Sequence, residues 1–259
     1  MISIVTWNVN SVRPRLQHLL NFLREQKPDV VLLQETKVEN DKFPTMEIEE
    51  LGYNIALNGQ KTYNGVAILS RFVLEDVQNN LPNFADEQAR YIEAVVCLKN
   101  SALRVASVYV PNGQDLASDK FQYKMEFLDK LRAHANNLLE LDEILVLGGD
   151  YNVAPEAGDV FDPQGLAGNI CFHPREREKL RSILYLGLYD AWRAKHPHQH
   201  AYSWWDYRGN SFAQDKGLRI DHLLLSAKAL DVMHDCEIIR TERERDTPSD
   251  HAPVTVWLE

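Results

Sequence analysis

The sequence predicts an α/β protein in which two β-sheets pack together and helices lie outside them. Short β-rich apolar runs recur along the whole chain, and helical patterns lie between some of them. The stretch 53–110 holds several strands but no clear helix, and this favours two packed sheets over one doubly wound sheet. The 259 residues, 44% of them hydrophobic, can bury a substantial core, so we expect one domain spanning residues 1–259.

Eight strands and three helices can be placed from these patterns. The strands are predicted at 2–6, 30–33, 66–69, 91–98, 103–110, 144–147, 220–226 and 253–258. The helices are predicted at 15–26, 120–139 and 174–186, the first with leucines on one face. The longest irregular segment is 154–169, and ordered loops of this length are often functional.

Composition limits the compartment and the partners. No run approaches the roughly 18 to 20 apolar residues of a membrane span, and the N-terminus lacks the pattern of a secretion signal. The three cysteines fit neither a disulfide framework nor a CxxC metal pair, so we expect a cytoplasmic protein with no membrane partner. The net charge of -10 argues against long-range attraction to a polyanion, although basic residues cluster at 175–181 and 208–219.

Polar side chains fall repeatedly at the ends of the predicted strands. One such residue is ordinary turn chemistry, because Asn and Asp are favoured in turns. Several of them at successive strand ends indicate a site for a metal-dependent phosphoesterase. The residues are Asn8, Glu35, Tyr109, Asp150, Asn152, Asp250 and His251.

Glu35 gives the clearest indication of a metal ion. Its carboxylate directly follows an apolar strand, and a buried charge must be paired or bound to metal. With the amide oxygen of Asn8 and the carboxylate of Asp250 it offers an all-oxygen site suited to Mg²⁺, which Mn²⁺ can replace. A structural salt bridge is the alternative for Glu35.

Asp150 and Asn152 are predicted to face one phosphate. They are two residues apart, so on an extended backbone they point the same way, and Gly148 and Gly149 permit close approach to a substrate. The carboxylate can orient or deprotonate the attacking water, and the amide can donate to the phosphate as charge develops. The alternative is a Gly-Gly-Asp turn in which Asn152 caps the backbone.

His251 needs a partner other than its neighbour Asp250, because adjacent residues on a strand face opposite sides. Asp221 lies in an apolar strand and is the predicted partner. A core histidine without a catalytic role is the alternative. Tyr109 joins a buried strand to a turn, where its phenol can donate to a phosphate.

Five residues are predicted to contact DNA. An aromatic cluster with a cation at 204–208 has the composition that stacks against bases, and two Asn-Gly turns adjoin buried strands. Core packing is the alternative for any single ring. The residues are Asn64, Asn112, Trp204, Trp205 and Arg208.

Six motifs together resemble the exonuclease III family of DNA repair nucleases, in order and over nearly the entire chain. They are TWNVN at 6–10, LQETK at 33–37, YNGVA at 63–67, GDYN at 149–152, GLRID at 217–221 and PSDHAPV at 248–254. The resemblance implies a DNase I-like four-layer α/β sandwich.

The resemblance also implies a role for each matching position. Glu35 and Asn8 would be magnesium ligands, Asp150 would activate water, and His251 would be held by Asp221 at the scissile group. Asn152 and Tyr109 would contact the phosphate. A second ion would bring in Asp150, Asn152 and His251.

The implied reactions act on double-stranded DNA with 3′ ends, nicks or abasic sites. They are 3′ to 5′ exonuclease action, removal of 3′-blocking phosphates and incision beside abasic sites. His173 stands where an apolar residue is expected in abasic-site specialists, which leaves the last activity open. We expect a monomer. Two alternatives are a phosphoesterase of the same fold acting on phosphoinositide or lipid head groups, and an inactive DNA-binding module.

Overall fold

A computed structural model describes residues 1–259, which form fourteen β-strands and six α-helices. The strands are β1 (Ile2–Asn8), β2 (Val30–Gln34), β3 (Asn54–Asn58), β4 (Val66–Ser70), β5 (Val73–Asn79), β6 (Tyr91–Cys97), β7 (Ala102–Tyr109), β8 (Leu145–Asp150), β9 (Leu188–Asp190), β10 (Trp204–Trp205), β11 (Gly217–Leu218), β12 (Asp221–Ser226), β13 (Met233–Ile238) and β14 (Val254–Leu258). The helices are α1 (Leu16–Gln26), α2 (Thr45–Glu49), α3 (Asp119–Glu140), α4 (Pro174–Leu184), α5 (Ala191–Lys195) and α6 (Ala227–Asp231).

Twelve of the strands form two six-stranded mixed sheets. The first sheet has the order β13-β14-β1-β2-β4-β3 and the second has the order β5-β6-β7-β8-β12-β9, while β10 and β11 form a separate ribbon. The pairs β1 with β2 and β7 with β8 are parallel, and all other pairs are antiparallel.

Alternate side chains on a strand point to opposite faces of its sheet, and both faces are apolar. On β1, Ile4 packs between the sheets, whereas Val5 packs on the outer face with α1. On β8, Val146 lies between the sheets and Leu147 packs against α3. The layers are therefore helix, sheet, sheet and helix, and the predicted four-layer sandwich is confirmed. No helix combines the length and apolar composition needed to cross a membrane.

All eight predicted strands and all three predicted helices are present, with shifts of a few residues at their ends. The six strands that the sequence did not reveal include the four edge strands of the two large sheets, β13, β3, β5 and β9. Edge strands carry polar residues that discourage pairing with other chains, so they lack the apolar pattern that marks a central strand. In β5, for example, only two of seven residues are even partly buried.

Gly148 and Gly149 stand where a side chain would collide with neighbouring atoms of the two sheets. A Cβ atom at Gly149 would lie 1.9 Å from the carbonyl oxygen of Val108 on the neighbouring strand. A Cβ atom at Gly148 would lie 2.6 Å from Leu32 of the opposite sheet. Gly149 therefore lets β8 lie beside β7 within one sheet, and Gly148 lets the two sheets come together. Close approach of a substrate at these two glycines stays a prediction.

Candidate active site

The polar residues meet because parallel strands end at the same edge of each sheet. In the second sheet Tyr109 of β7 pairs in register with Asp150 of β8, and Asp221 of β12 pairs with Asp150 from the other side. In the first sheet Asn8 of β1 is in register with Gln34 of β2, so Glu35 follows at the same edge. The facing sheets thus bring side chains from β1, β2, β7, β8 and β12 to one place.

A cavity of about 600 Å³ opens at this edge. Polar residues from the strand ends line it, and so do apolar side chains such as Leu166 and Trp204, which pack on one apolar cluster, and Phe161. Phe161 and Leu166 belong to the long loop 154–169, whose predicted functional position is thereby supported. The pocket joins a reactive polar floor to an apolar wall.

Glu35, Asp150 and His251 lie at the floor of the cavity and offer ligand atoms that are all within 4.8 Å of one another. Asp150 is 1% exposed and His251 is 4% exposed. The His251 Nε2 atom is 3.8 Å from the Asp150 carboxylate. This is the only group of three or more such residues in the chain with metal-binding spacing.

His251 is held by Asp221, as predicted. Its Nδ1 atom lies 2.9 Å from Asp221 Oδ2 and 3.1 Å from Oδ1, which leaves Nε2 facing the cavity. Ser203 fixes this aspartate, since its hydroxyl donates to Asp221 Oδ2 at 2.6 Å and accepts from the Asp221 N–H. Burial alone would lower the pKa of His251, but the charges of Asp221 and Asp150 raise it above its ordinary value.

Asp150 and Asn152 do converge, although by a turn and not by the extended backbone that was predicted. Asn152 has a left-handed φ of 50°, and Asp150 Oδ1 accepts from its N–H at 2.9 Å. The Asn152 side chain donates to Val110 O and to Asp150 Oδ2, while its Oδ1 accepts from Asn112 Nδ2 at 3.0 Å. Both asparagines are thereby fixed beside the carboxylate.

Glu35 reaches the floor by leaving β2 in a left-handed conformation, with φ of 51°. Tyr109 Oη donates to Glu35 Oε1 at 2.9 Å, and Lys37 Nζ lies 2.6 Å from Oε2. Burial would raise the pKa of Glu35, but Lys37 and the Asn8 amide outweigh it and lower the pKa. The salt-bridge alternative is therefore realised in part, through Lys37.

The electrostatic balance of the floor suits a cation. Burial raises the pKa of Asp150, and the charges of Asp221 and Glu35 add to this effect while His251 opposes it. Four carboxylates line the cavity, from Glu35, Asp150, Asp206 and Asp250, against Lys216 and the imidazole of His251. A bound metal ion would offset this excess of acidic groups, and the two carboxylates with the imidazole offer ligand atoms for one.

Two predicted metal ligands are placed differently from expectation. The Asn8 amide nitrogen, not its oxygen, faces the floor, where it donates to Glu35 at 2.8 Å and to Asp150 at 2.9 Å. Its oxygen accepts a hydrogen bond from the backbone N–H of Asn10. Asp250 lies outside the cluster because its carboxylate accepts from Asn10 Nδ2 and Trp204 Nε1. Asp150, instead of Asp250, lies with Glu35 in the cluster.

A family model described as the endonuclease/exonuclease/phosphatase family matches residues 5–251. The chain belongs to this family. The match contains every residue of the floor, and the resemblance inferred from the six motifs is confirmed.

Relatives within the endonuclease/exonuclease/phosphatase family match the chain from end to end. Exodeoxyribonuclease III of Haemophilus influenzae is 32% identical, with 100% of this chain and 99% of the relative covered. The structure of the 3′ phosphatase NExo from Neisseria bound to a product DNA hairpin is 40% identical, with a TM-score of 0.97 and full coverage of both chains. An AP endonuclease from Archaeoglobus fulgidus is 36% identical, with a TM-score of 0.95 and full coverage of both.

The predicted DNA contacts of this family member divide into accessible and buried residues. Asn112 and Trp204 line the cavity, and Arg208 is exposed at the surface beside Asp206. Trp205 is 0% exposed, with its ring against Phe212 and its Nε1 donating to Asp215. The prediction of a DNA contact was wrong for Trp205, because the strand alternation that exposes Trp204 buries its neighbour.

The side-chain amide of Asn64, another predicted DNA contact, is bound within the protein. Its side chain is buried, and Nδ2 donates to Gln60 at 2.9 Å and to Gln88 at 3.1 Å. The amide therefore joins two loops of the endonuclease/exonuclease/phosphatase fold at a second cavity, which Tyr109 and Asn112 also line, and its contact with DNA stays a prediction. Its left-handed φ of 55° accounts for an asparagine at this turn.

Three polar residues of the site were not assigned roles from the sequence. Lys37 pairs with Glu35 and donates to Asn10, and Asn10 donates in turn to Asp250. Both lie in motifs that carried the resemblance, so their positions gave a signal that was not used. Ser203 lies in no motif, and only its contact with Asp221 reveals it.

Replacing Trp205 by alanine tests its placement in this family member. We expect Trp205→Ala to lower the free energy of unfolding by about 3 to 5 kcal/mol, the usual loss for a buried aromatic ring. Denaturant unfolding measures it. Trp204→Ala is the matched control and should lose less stability, because Trp204 is only partly buried. Unchanged stability of Trp205→Ala would contradict the buried position.

Proposed function

We propose that this chain is a Mg²⁺-dependent DNA repair nuclease, in which Mn²⁺ can substitute for Mg²⁺. It would act as one domain, and as a monomer, on 3′ ends of duplex DNA, as a 3′ to 5′ exonuclease and as a phosphatase for 3′-blocking phosphates. The observation that carries the proposal is the buried cluster of Glu35, Asp150 and His251 at the floor of an open cavity. The three cited relatives, by their names, act on DNA ends or abasic sites.

The oxygens of Glu35 and Asp150 would hold the metal. Their carboxylate oxygens suit a hard cation, whereas the imidazole of His251, held by Asp221 through Nδ1 and facing the cavity with Nε2, is left to act on the phosphate. When bound, the ion would offset the charge of the phosphate oxygens and of the acidic floor. Asn8 would support both ligands through its amide nitrogen.

The other residues would act on the phosphate and the water. Asp150 accepts hydrogen bonds from Asn8 and Asn152 that fix its orientation, so it can position and deprotonate an attacking water. The raised pKa of His251 keeps its imidazole charged beside the phosphate, where Nε2 can donate to a developing oxyanion. Tyr109 and Asn112 line the same cavity, and the Tyr109 hydroxyl, which donates to Glu35 in this structure, would turn to a phosphate oxygen when substrate binds.

The apolar wall favours a second activity, incision at abasic sites. Phe161, Leu166 and Ile170 line the same cavity as the polar floor, and a sugar without a base can be accommodated there next to the reacting phosphate. His173 does not line the cavity, since its ring packs edge-on against Phe121 and its Nδ1 accepts from Arg175 N. Its position therefore leaves the apolar wall intact.

A substrate panel tests the proposal. Purified protein with Mg²⁺ is given a duplex with a matched recessed 3′ end, a duplex with a 3′-phosphate, an internal abasic site and a phosphoinositide. We expect phosphate release and shortening of the DNA, with no release of phosphate from the lipid. Lipid hydrolysis alone would support the lipid phosphoesterase instead, and DNA binding without hydrolysis would support the inactive module.

Glu35→Ala should raise the Mg²⁺ concentration that gives half-maximal activity. We expect a rise of about tenfold or more, the size found even for residues that only support metal ligands. Glu39→Ala is the matched control, because Glu39 lies at the surface and pairs with Lys42. A Mg²⁺ titration of initial rates measures the change, and equal requirements in both variants would remove Glu35 from the ligand set.

A further inference from the structure

A lysine outside the cavity contacts the backbone of two asparagines at its rim. Lys124 lies on α3, and its side chain is 0% exposed. Its ammonium donates to Asn152 O at 2.7 Å and to Asn112 O at 3.1 Å, and it also pairs with the carboxylate of Glu176. One buried cation therefore joins two loops that carry site residues to the start of α4.

Every N–H donor of the Lys124 ammonium has a hydrogen-bond acceptor. An ammonium has three N–H donors, and here each has one acceptor, two carbonyls and one carboxylate. Glu176 is also fully buried, and its second oxygen accepts from His173 N at 3.0 Å. Packing alone does not require a buried pair of this kind, because apolar residues of similar volume are often as stable.

The two carbonyls belong to residues whose side chains meet in the site. Asn112 Nδ2 donates to Asn152 Oδ1, and Asn152 donates to Asp150 Oδ2. Asn152 adopts a left-handed conformation that a non-glycine residue seldom holds without support. The bond from Lys124 to its carbonyl supplies such support from the side opposite the cavity.

We propose that Lys124, paired with Glu176, is a positioning residue that holds Asn112 and Asn152 in register with Asp150 for phosphate hydrolysis. It contacts neither the cavity nor the phosphate. Its loss would let the two loops shift, and small shifts at a reacting centre reduce turnover far more than they reduce binding. This inference rests on the proposed function, because its main readout is turnover.

The test removes both charges together, since loss of the lysine alone would leave Glu176 buried and unpaired. We expect Lys124→Met/Glu176→Leu to lower kcat by about 10-fold to 100-fold, the range that displacements of this kind produce. KM for the 3′-phosphate duplex should change by less than about threefold, because the side chains that line the cavity remain present. Leu138→Ala, on the same helix and away from the site, is the control, and it should lose stability without losing kcat.

A double-mutant cycle separates positioning from general support of the fold. In an Asn112→Ala background, Lys124→Met/Glu176→Leu should lower kcat by a much smaller factor than in the wild type. One of the two side chains that the pair positions is already absent there. A loss of kcat that is the same in both backgrounds would overturn the proposal. So would a kcat of Lys124→Met/Glu176→Leu within about twofold of the wild type.

If that variant does not fold, Lys124→Gln/Glu176→Gln takes its place, since the amide keeps N–H donors of similar reach. We expect a smaller loss of kcat at unchanged KM, and a kcat within about twofold of the wild type would overturn the proposal. A wild type without turnover would instead count against the proposed function. The Lys124 comparison would then rely on the NMR signals of the Asn112 and Asn152 side-chain amides, which should shift in the variant if positioning is correct and stay unchanged if it is not.

Discussion

Asp150→Asn is expected to lower kcat by about 10²-fold to 10⁴-fold, the range associated with a lost general base. Asp150 is the buried carboxylate at the centre of the floor, where Asn8 and Asn152 donate to its oxygens and His251 faces it. Asparagine keeps the shape of the side chain but cannot deprotonate water. Single-turnover kinetics on a 3′-phosphate duplex would measure the loss.

DNA affinity should be nearly unchanged in Asp150→Asn, because the carboxylate acts mainly in the transition state. Asp129→Asn is the matched control, since Asp129 lies on α3 at the surface and pairs with Lys179. Equal losses of affinity and turnover in Asp150→Asn would indicate a structural aspartate instead of a catalytic one.

Asp221→Asn should produce the second large effect, a fall in kcat of about 10²-fold or more. The neutral amide cannot compensate the charge of His251, and it can select the other imidazole tautomer, so that Nε2 no longer presents a proton to the phosphate. Stopped-flow or quench measurements of kcat, with KM determined on the same duplex, would test this result.

Ser203→Ala is a milder variant for comparison with Asp221→Asn. It removes the hydroxyl that donates to Asp221 Oδ2 but leaves the aspartate charge in place, so its loss of kcat should be much smaller. A kcat for Asp221→Asn as high as that of Ser203→Ala would show that the charge of Asp221 is not needed.

The central architecture was predictable because central strands and long helices have strong apolar patterns. The runs that became β1, β2, β7 and β8 are buried on both faces, and their ends placed Glu35 and Asp150 correctly near each other. The pairing of His251 with Asp221 also followed from strand geometry, since neighbours on a strand point to opposite faces. The edge strands were not predicted because their exposed, polar residues lack that apolar pattern.

The finer geometry of the site depends on contacts that sequence does not encode locally. Asn8 turned its nitrogen toward two carboxylates because its oxygen was already bound to Asn10, and Asp250 was held by Asn10 and Trp204. Whether Trp204 or Trp205 faced the cavity depended on the register of a two-residue strand. Lys124 gave no signal, because a lysine within an amphipathic helix is ordinarily expected at the surface.

The most direct test of a metal-dependent reaction at this floor is release of phosphate from a 3′-phosphorylated nicked duplex by the purified chain, with Asp150→Asn prepared in parallel. We expect release with Mg²⁺, none after EDTA, recovery when excess Mg²⁺ is restored, and almost none from the variant. Release that persists in EDTA, or equal release by Asp150→Asn, would contradict a metal-dependent reaction at the floor formed by Glu35, Asp150 and His251.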